Sequence, residues 1–392
     1  MTAVENSGLS GGGAPRRTCF LHIGPHKTGT TSIQDALFDN AERLAAIGVF
    51  YPTVSGDRGG RQRRNHTPLA RASNFKADDL MASPFWEELS LKIADIDGSI
   101  VISTEHFAER LREAENFERV VAFFERHGFR VTAVAYVRDQ PGWLNSWYTQ
   151  DQRNFISRDS FSEFLARALE FGLVDPWGYL GRFIDDPRTD VRVVSFERAI
   201  KTGLARSFLD AIGAPEDFEI AEPNPSNPNL GVKGMYAAQE IMRRVNGRVR
   251  SLPNYNQLYE RFKKLMRGRD WEKTAYIGFT PEEEKRIRDR YAASNDAFAQ
   301  RFFGVDWATI CPPRSASLRE FDFASAPDED KRDVLEVIDQ MVDAIEASRA
   351  DADIVLPPLK GKKGKGKKGK GQGRGQGEAA RMAEADASKA GA

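Results

Sequence analysis

The spacing of apolar residues in the first half of the chain predicts strands that alternate with helices. Residues 19–23 form a short apolar run that ends at Gly24, which is typical of a buried parallel strand. From Thr31 the apolar residues instead recur at helical spacing, and Gly48 ends the pattern. The first 48 residues of the chain therefore predict a strand, a tight loop and a helix.

Three further strands follow the same pattern, at residues 99–103, 129–137 and 191–196, and helices follow at 117–124 and 204–212. Alternating strands and helices imply a parallel sheet covered on both faces, with right-handed crossovers. Beyond Pro223 the strand signals fade, and helices are predicted at 231–246, 280–303 and 328–350. The predicted fold class is α/β, a three-layer sandwich with a parallel central sheet and a mainly helical C-terminal part.

Composition divides the chain into four segments. Residues 1–17 are small, polar and glycine-rich, and predict a disordered leader. Residues 18–312 hold the main domain, and residues 313–356 form a helical extension whose apolar stripe must dock on that domain or on a second subunit. A homodimer is one expectation from this stripe. Residues 357–392 begin at a Pro-Pro pair and continue as a Lys/Gly-rich tail, for which we expect disorder.

Composition also excludes several protein classes. With 40% hydrophobic and 29% charged residues in 392, the chain is globular rather than fibrous or disulfide-stapled. Its two cysteines, Cys19 and Cys311, form no CxxC pair and no cluster with histidine, so we expect neither a structural metal nor a disulfide framework. The sequence has no apolar run of membrane-spanning length and no secretion-signal pattern, and this favours a cytoplasmic location.

The net charge of zero hides a strong segregation. Residues 360–377 carry seven lysines and one arginine without an acid, and residues 378–392 carry three acids and two bases, so the first 359 residues have a net charge of −7. The basic tail has no aromatic residues, so we expect weak, salt-dependent contact with polyanions or anionic membranes and no specific nucleic acid binding. A flexible solubilising tail is the alternative interpretation.

The loop after the first strand is a candidate anion site. Residues 24–32 read Gly-Pro-His-Lys-Thr-Gly-Thr-Thr-Ser, at the point where backbone N–H groups and a helix dipole favour negative charge. The candidate ligands are Gly24, His26, Lys27, Thr28, Gly29, Thr30, Thr31 and Ser32. An ordinary turn with hydroxyl caps is the alternative. A nucleoside triphosphatase loop requires GxxxxGK[ST], whereas Lys27 here precedes the second glycine.

The order His-Ile-Gly-Pro-x-Lys-Thr-Gly-Thr-Thr-Ser resembles the 5′-phosphosulfate loop of sulfotransferases that use 3′-phosphoadenosine 5′-phosphosulfate (PAPS), particularly the bacterial carbohydrate type. A second element resembles the family's 3′-phosphate motif, with Arg138 leaving the third strand and Ser146 two helical turns further on. The pair can supply several donors to one phosphate. The resemblance covers about residues 18–200, and more faintly 227–246 and 295–304. It implies a P-loop nucleotide-kinase-like fold for the sulfotransferase domain, with PAPS as cofactor and no metal.

The resemblance also suggests catalytic residues. Lys27 is placed to neutralise charge on the leaving 5′-phosphate. Family members carry a Glu or His base at the end of the next strand, where this chain has Glu105 and His106, and Glu105 occupies the matching position. His106 is the runner-up, and a helix-start carboxylate is the non-catalytic interpretation of Glu105. His22, inside the first strand, is read as structural.

Acceptor binding is assigned to a basic loop and to the second strand. Arg61, Arg64 and His66 suit an acceptor bearing carboxylates or sulfates, and Ser103 lies close to the same edge of the sheet. A solvated charge run is an equal alternative for the loop, and His66 is also an alternative base. The sequence thus predicts a PAPS-dependent sulfotransferase acting on a hydroxyl or amine of a carbohydrate. A P-loop phosphotransferase and a catalytically silent polyanion-binding protein remain the alternatives.

Overall fold

The structure, a computed structural model, describes residues 17–55, 63–72, 80–172, 174–221, 229–245, 248–313 and 317–351. The predicted leader up to residue 16, the acceptor candidate Arg61 and the basic tail lie outside these residues. Within the described part of the chain, no helix is both long enough and apolar enough to cross a membrane.

Within the described ranges, five strands form the sheet: β1 Thr18–His22, β2 Val49–Phe50, β3 Ser99–Ser103, β4 Arg130–Val137 and β5 Thr189–Ser195. The helices are α1 Thr30–Asp39, α2 Ala41–Ala46, α3 Thr67–Ala72, α4 Pro84–Ile93, α5 Phe107–Arg110, α6 Ala114–Arg126, α7 Gln140–Arg153, α8 Phe161–Phe171, α9 Pro176–Asp185, α10 Phe196–Thr202, α11 Leu204–Ile212, α12 Gly231–Arg244, α13 Tyr255–Met266, α14 Pro281–Phe303, α15 Trp307–Ile310 and α16 Asp328–Ala350. Three short 3₁₀ turns lie at Leu80–Ala82, Val249–Ser251 and Trp271–Lys273.

The sheet is entirely parallel, with the strand order β2-β3-β1-β4-β5. In its centre, Phe20 of β1 lies beside Val101 of β3 on one side and Thr132 of β4 on the other. The chain leaves β1 between two strands that come later in the sequence. The segments that follow β1, β3 and β4 therefore meet at one carboxyl edge, where α/β proteins bind their ligands.

Apolar side chains cover both faces of the sheet. Phe20, Val101 and Val134 belong to one buried cluster with residues of α1, α2 and α11. Side chains alternate across a strand, so their neighbours point to the opposite face. Helices α6 and α9 contact β4, and their Phe117 and Phe183 rings pack edge to face with centroids 5.0 Å apart. The predicted three-layer α/β arrangement is confirmed.

The bounds of the predicted elements follow the pattern closely, but helices α3, α4, α8, α9 and α13 were not predicted, and one predicted helix is divided. The single helix predicted from Thr31 to Gly48 is broken at Asn40, whose side-chain amide donates to the carbonyl of Ala36 at 2.9 Å. That bond takes up a carbonyl at the end of α1 and lets α2 begin in a new direction. Strand β2 was not predicted, because two residues give no detectable alternation.

The long C-terminal helix α16 packs on α12 and α13 of the same chain. Of its apolar stripe, Val334, Ile338, Met341 and Ile345 are fully buried, whereas Leu335 and Val342 are half-buried. This stripe was expected to dock either on the domain or on a second subunit, and in the structure it lies against the chain's own helices.

Candidate functional site

The segment between β1 and α1 turns sharply at three residues. Gly24 and Lys27 have positive φ angles of 25° and 67°, and Gly29 caps α1 in the left-handed region with φ 83°. A lysine held in this conformation costs about 1 kcal/mol or more, and such strain is concentrated at functional sites. The first-turn N–H groups of α1, including those of Thr31 and Ser32, have no partner within the helix. The segment therefore presents several N–H donors together.

The loop is held in this shape by the chain after β4. Arg138 donates to the carbonyl of Lys27 at 2.7 Å, and the indole N–H of Trp143 donates to the carbonyl of His26. The guanidinium of Arg138 also stacks on Phe196, 4.6 Å from the ring centroid. In a trans peptide the N–H points away from the preceding C=O. Drawing these carbonyls toward α7 thus turns the N–H groups of Lys27 and Thr28 away from it.

Positive charge converges on Lys27. Burial, together with the nearby guanidinium groups of Arg153 and Arg138, lowers the pKa of its ammonium to about 8. The Nε atom of Arg153 is buried without a hydrogen-bond partner among the described residues. Arg153 was not among the residues predicted from the sequence to bind the anion. It lies two helical turns after Ser146 on α7, and this spacing would have indicated a shared helix face.

Two further polar atoms face the interior of the loop. A Cβ on Gly24 would lie 2.9 Å from Thr30 Oγ1 and 3.5 Å from His22 Nε2. Both atoms are buried and neither has a hydrogen-bond partner within the described structure. Thr28, by contrast, uses its hydroxyl to cap the carbonyl of Pro25 at 2.7 Å. The glycine at position 24 keeps this space open.

The end of β3 brings Glu105 to the loop. Its carboxylate lies 3.9 Å from Nδ1 of His26 and accepts a hydrogen bond from the Gln34 amide of α1 at 3.4 Å. The His106 ring packs edge to face on that of His26, with centroids 5.3 Å apart. Burial lowers the pKa of both imidazoles, and Glu105 opposes this shift in each. The two histidines are therefore neutral at pH 7, and Glu105 is the carboxylate nearest to the loop's imidazole.

His66 pairs with backbone groups, and the Ser103 hydroxyl pairs with the ring of His22. His66 Nε2 donates to the carbonyl of Pro52 at 2.6 Å, and its Nδ1 accepts the backbone N–H of Ser103 at 3.0 Å. The Ser103 hydroxyl lies 2.8 Å from Nδ1 of His22. Both residues are almost completely buried. His66 therefore has the geometry of a structural histidine, with no ring nitrogen left to meet an acceptor.

The remaining acceptor and phosphate candidates take different positions. Arg64 pairs with Asp35 at 3.2 Å and with Asp39 at 2.7 Å, and 46% of its side chain is exposed. Its charge is thus already compensated by α1. Ser146 is half-buried on α7, and Arg61 lies outside the described residues.

A cleft of about 640 Å³ lies between α9, α5 and the segment that follows α5. It is lined by Glu109 of α5, by Trp177 and Arg182 of α9, and by Arg112. The carboxylate of Glu109 acts electrostatically on His26 and His106 and, like Glu105, opposes the lowering of their pKa values by burial. The cleft combines an aromatic ring with charged groups of both signs.

No family model matches the chain, and no curated protein matches it either. A similar solved structure is the crystal structure of a sulfotransferase from Alicyclobacillus acidocaldarius, at 15% identity and a TM-score of 0.35, covering 57% of this chain and 91% of that one. A TM-score of this size is too low to transfer a property between the two proteins. Among the residues that the structure describes, no group of three or more His, Cys, Asp or Glu side chains is placed to hold a metal ion.

Proposed function

We propose that the protein transfers a sulfuryl group from PAPS to a hydroxyl or amine of a carbohydrate-type acceptor. The observation that carries this proposal is the convergence of Lys27, Arg138 and Arg153 on a loop at a helix N-terminus, with Glu105 on the same edge. Backbone N–H groups and three cations suit a ligand with more than one anionic group. Glu105 adds a carboxylate beside them.

Two buried atoms without partners support the fit of an anionic group to the loop. His22 Nε2 and Thr30 Oγ1 border a space that a side chain at position 24 would fill. PAPS, when bound, supplies an activated sulfuryl group on its 5′-phosphate. The loop N–H groups and Lys27 would hold the 5′ end, and Arg138 with Ser146 would hold the 3′-phosphate.

The chemistry asked of this chain is alignment and charge stabilisation, as in phosphoryl transfer. Lys27 stabilises negative charge that develops on the leaving 5′-phosphate. Glu105 accepts the proton of the acceptor hydroxyl through one carboxylate oxygen, while the Gln34 amide orients the other. The cleft containing Trp177 and Arg182 is the proposed acceptor site, because aromatic faces and charged groups suit an anionic sugar.

Calorimetric titration with the desulfated product, 3′-phosphoadenosine 5′-phosphate, tests the cofactor site, with ATP and Mg²⁺ as the rival ligand. We expect binding that Lys27→Gln and Arg138→Lys weaken by about tenfold or more, because each removes a charge or a bidentate contact to phosphate. A preference for ATP with Mg²⁺ would contradict the proposal and favour a phosphotransferase.

Turnover of PAPS with an acidic glycan acceptor tests the base. Glu105→Gln should lower turnover by about a hundredfold or more without weakening cofactor binding. Glu115→Gln is the control, since it removes a carboxylate whose ion pair is with Arg119 of the same helix rather than with a loop residue. Equal losses in the two variants would refute the role of Glu105.

A further inference from the structure

The interior of the loop contains two buried polar atoms that face the same space. The His22 side chain is fully buried and Thr30 is 6% exposed, yet neither His22 Nε2 nor Thr30 Oγ1 has a partner among the described residues. Each unpaired buried polar group costs about 1–3 kcal/mol. A Cβ on Gly24 would lie 3.5 Å from His22 Nε2 and 2.9 Å from Thr30 Oγ1, so both atoms border Gly24. An anion oxygen held against this glycine would accept a hydrogen bond from each.

The second ring nitrogen of His22 is already occupied. Its Nδ1 lies 2.8 Å from the Ser103 hydroxyl at the end of the neighbouring strand β3. When Ser103 donates this hydrogen bond, the imidazole hydrogen resides on Nε2, which then becomes a donor aimed into the loop. The ring cannot easily turn away, because Tyr136 and Phe208 pack against it with centroids 5.7 and 5.2 Å distant.

We propose that His22 is a ligand of the bound anion and donates its Nε2 hydrogen to an oxygen held inside the loop. The inference rests on the proposed function in taking this oxygen to belong to the 5′ group of a 3′-phosphoadenosine nucleotide. Thr30 donates to the same oxygen or to its neighbour. Ser103 is then a positioning residue, which acts on the ligand only through the His22 ring.

His22 serves as a neutral donor rather than as a charge. Burial lowers the pKa of its imidazole to about 4, although Glu105 opposes this shift. The positive charge in the loop comes from Lys27, with Arg138 and Arg153 behind it. The contact is therefore independent of pH across the neutral range. It orients the bound anion, whereas Lys27, Arg138 and Arg153 supply the electrostatic attraction.

Two substitutions at position 22 separate a ligand from a packing residue. His22→Phe keeps an aromatic ring between Tyr136 and Phe208 but removes both nitrogens, whereas His22→Gln retains an amide N–H near the position of Nε2. By calorimetry, we expect His22→Phe to weaken binding of 3′-phosphoadenosine 5′-phosphate by about ten- to a hundredfold, the effect of one hydrogen bond to a charged group. His22→Gln should recover part of this loss.

Adenosine 3′-phosphate, which lacks the 5′ group, is the matched ligand control. Its affinity should be equal in the wild-type protein and in His22→Phe, because the nucleoside and 3′-phosphate contacts do not involve position 22. Ser103→Ala should weaken only the 5′-phosphorylated nucleotide, by about threefold, as one neutral hydrogen bond is lost. Thermal unfolding of each variant establishes that it is folded before titration.

Nitrogen NMR of the His22 ring reports the contact directly, with 3′-phosphoadenosine 5′-phosphate, inorganic pyrophosphate and ATP with Mg²⁺ as probes. A shift of the Nε2 resonance with the nucleotide, absent with adenosine 3′-phosphate, supports the inference. A shift only with ATP and Mg²⁺ retains His22 as an anion ligand and overturns the proposed function. If the nucleotide binds without shifting the Nε2 resonance, and its affinity is unchanged in His22→Phe, the inference alone is overturned. No response to any of the three probes overturns both.

Discussion

His22 and His66 flank Ser103 from two sides, and they are buried to the same degree. Burial lowers the pKa of each imidazole to about 4. The regions differ in how the ring nitrogens are used. His66 satisfies both nitrogens with backbone groups of Pro52 and Ser103, whereas Nε2 of His22 meets no protein partner among the described residues.

This difference shows that burial and a lowered pKa do not distinguish a structural histidine from a ligand-binding one. The number of satisfied nitrogens does, because a fold rarely leaves a buried donor unpaired without a use for it. On this criterion the hydrogen bonds of His66 stabilise the end of β3, whereas His22 offers its Nε2 to an anion.

We expect acidification to cause the largest change in the stability contributed by His22 and His66. The folded-state pKa of each histidine lies below the unfolded value of about 6.5, so the unfolded chain binds more protons. The stability from each neutral ring is complete above pH 6.5 and is lost as the pH falls toward about 4, by about 3 kcal/mol per histidine. Urea unfolding at a series of pH values measures this loss. His22→Phe combined with Ser103→Ala should remove the share due to His22, and an unchanged pH dependence in that variant would contradict the comparison.

Replacing each histidine by phenylalanine at pH 7 should show that the two residues contribute differently to stability. His66→Phe leaves the Ser103 N–H and the Pro52 carbonyl buried without partners, and should cost about 3 kcal/mol of unfolding free energy. The double variant His22→Phe/Ser103→Ala removes both members of one hydrogen bond and should change stability by less than about 1 kcal/mol. Urea denaturation compares them, and equal destabilisation would show that His22 is structural as well.

We expect the smallest effect from the pH dependence of nucleotide binding through Lys27. Lys27 is protonated below a pKa of about 8, and a bound anion favours that form, so nucleotide affinity should fall as the pH rises above 8. Arg153→Gln removes a like charge and should move this fall to higher pH. Calorimetry of 3′-phosphoadenosine 5′-phosphate binding from pH 6.5 to 9.5 measures the midpoint. Arg64→Gln is the control, since this guanidinium pairs with Asp35 and Asp39. An identical midpoint in Arg153→Gln would place Arg153 outside the site.

The sequence predicted the parts of this molecule that depend on local pattern. The parallel sheet follows from apolar runs, and β3, α11 and α16 have the bounds that their periodicity indicates. The glycine and lysine positions of the loop were also visible, because a strand followed by a helix places them at one edge. The roles assigned to Lys27, Arg138 and Glu105 stay predictions.

Contacts between distant segments were not predictable from the pattern. His22 looked like a strand residue, since nothing in residues 18–32 shows that Ser103 occupies its other nitrogen. Arg153 was overlooked because only the packing of α7 brings it near Lys27. Conversely, Arg64 looked free to bind an acceptor until the structure placed it against Asp35 and Asp39.

The anchoring of the loop by α7 has a consequence for folding cooperativity. The bonds from Arg138 to Lys27 and from Trp143 to His26 join residues 111 and 117 positions apart. A peptide spanning β1 to α1 contains the whole glycine-rich segment but neither donor, so it should not fix the loop's shape. In hydrogen exchange, the amides of the loop should open together with those of α7, as one cooperative unit, rather than with β1.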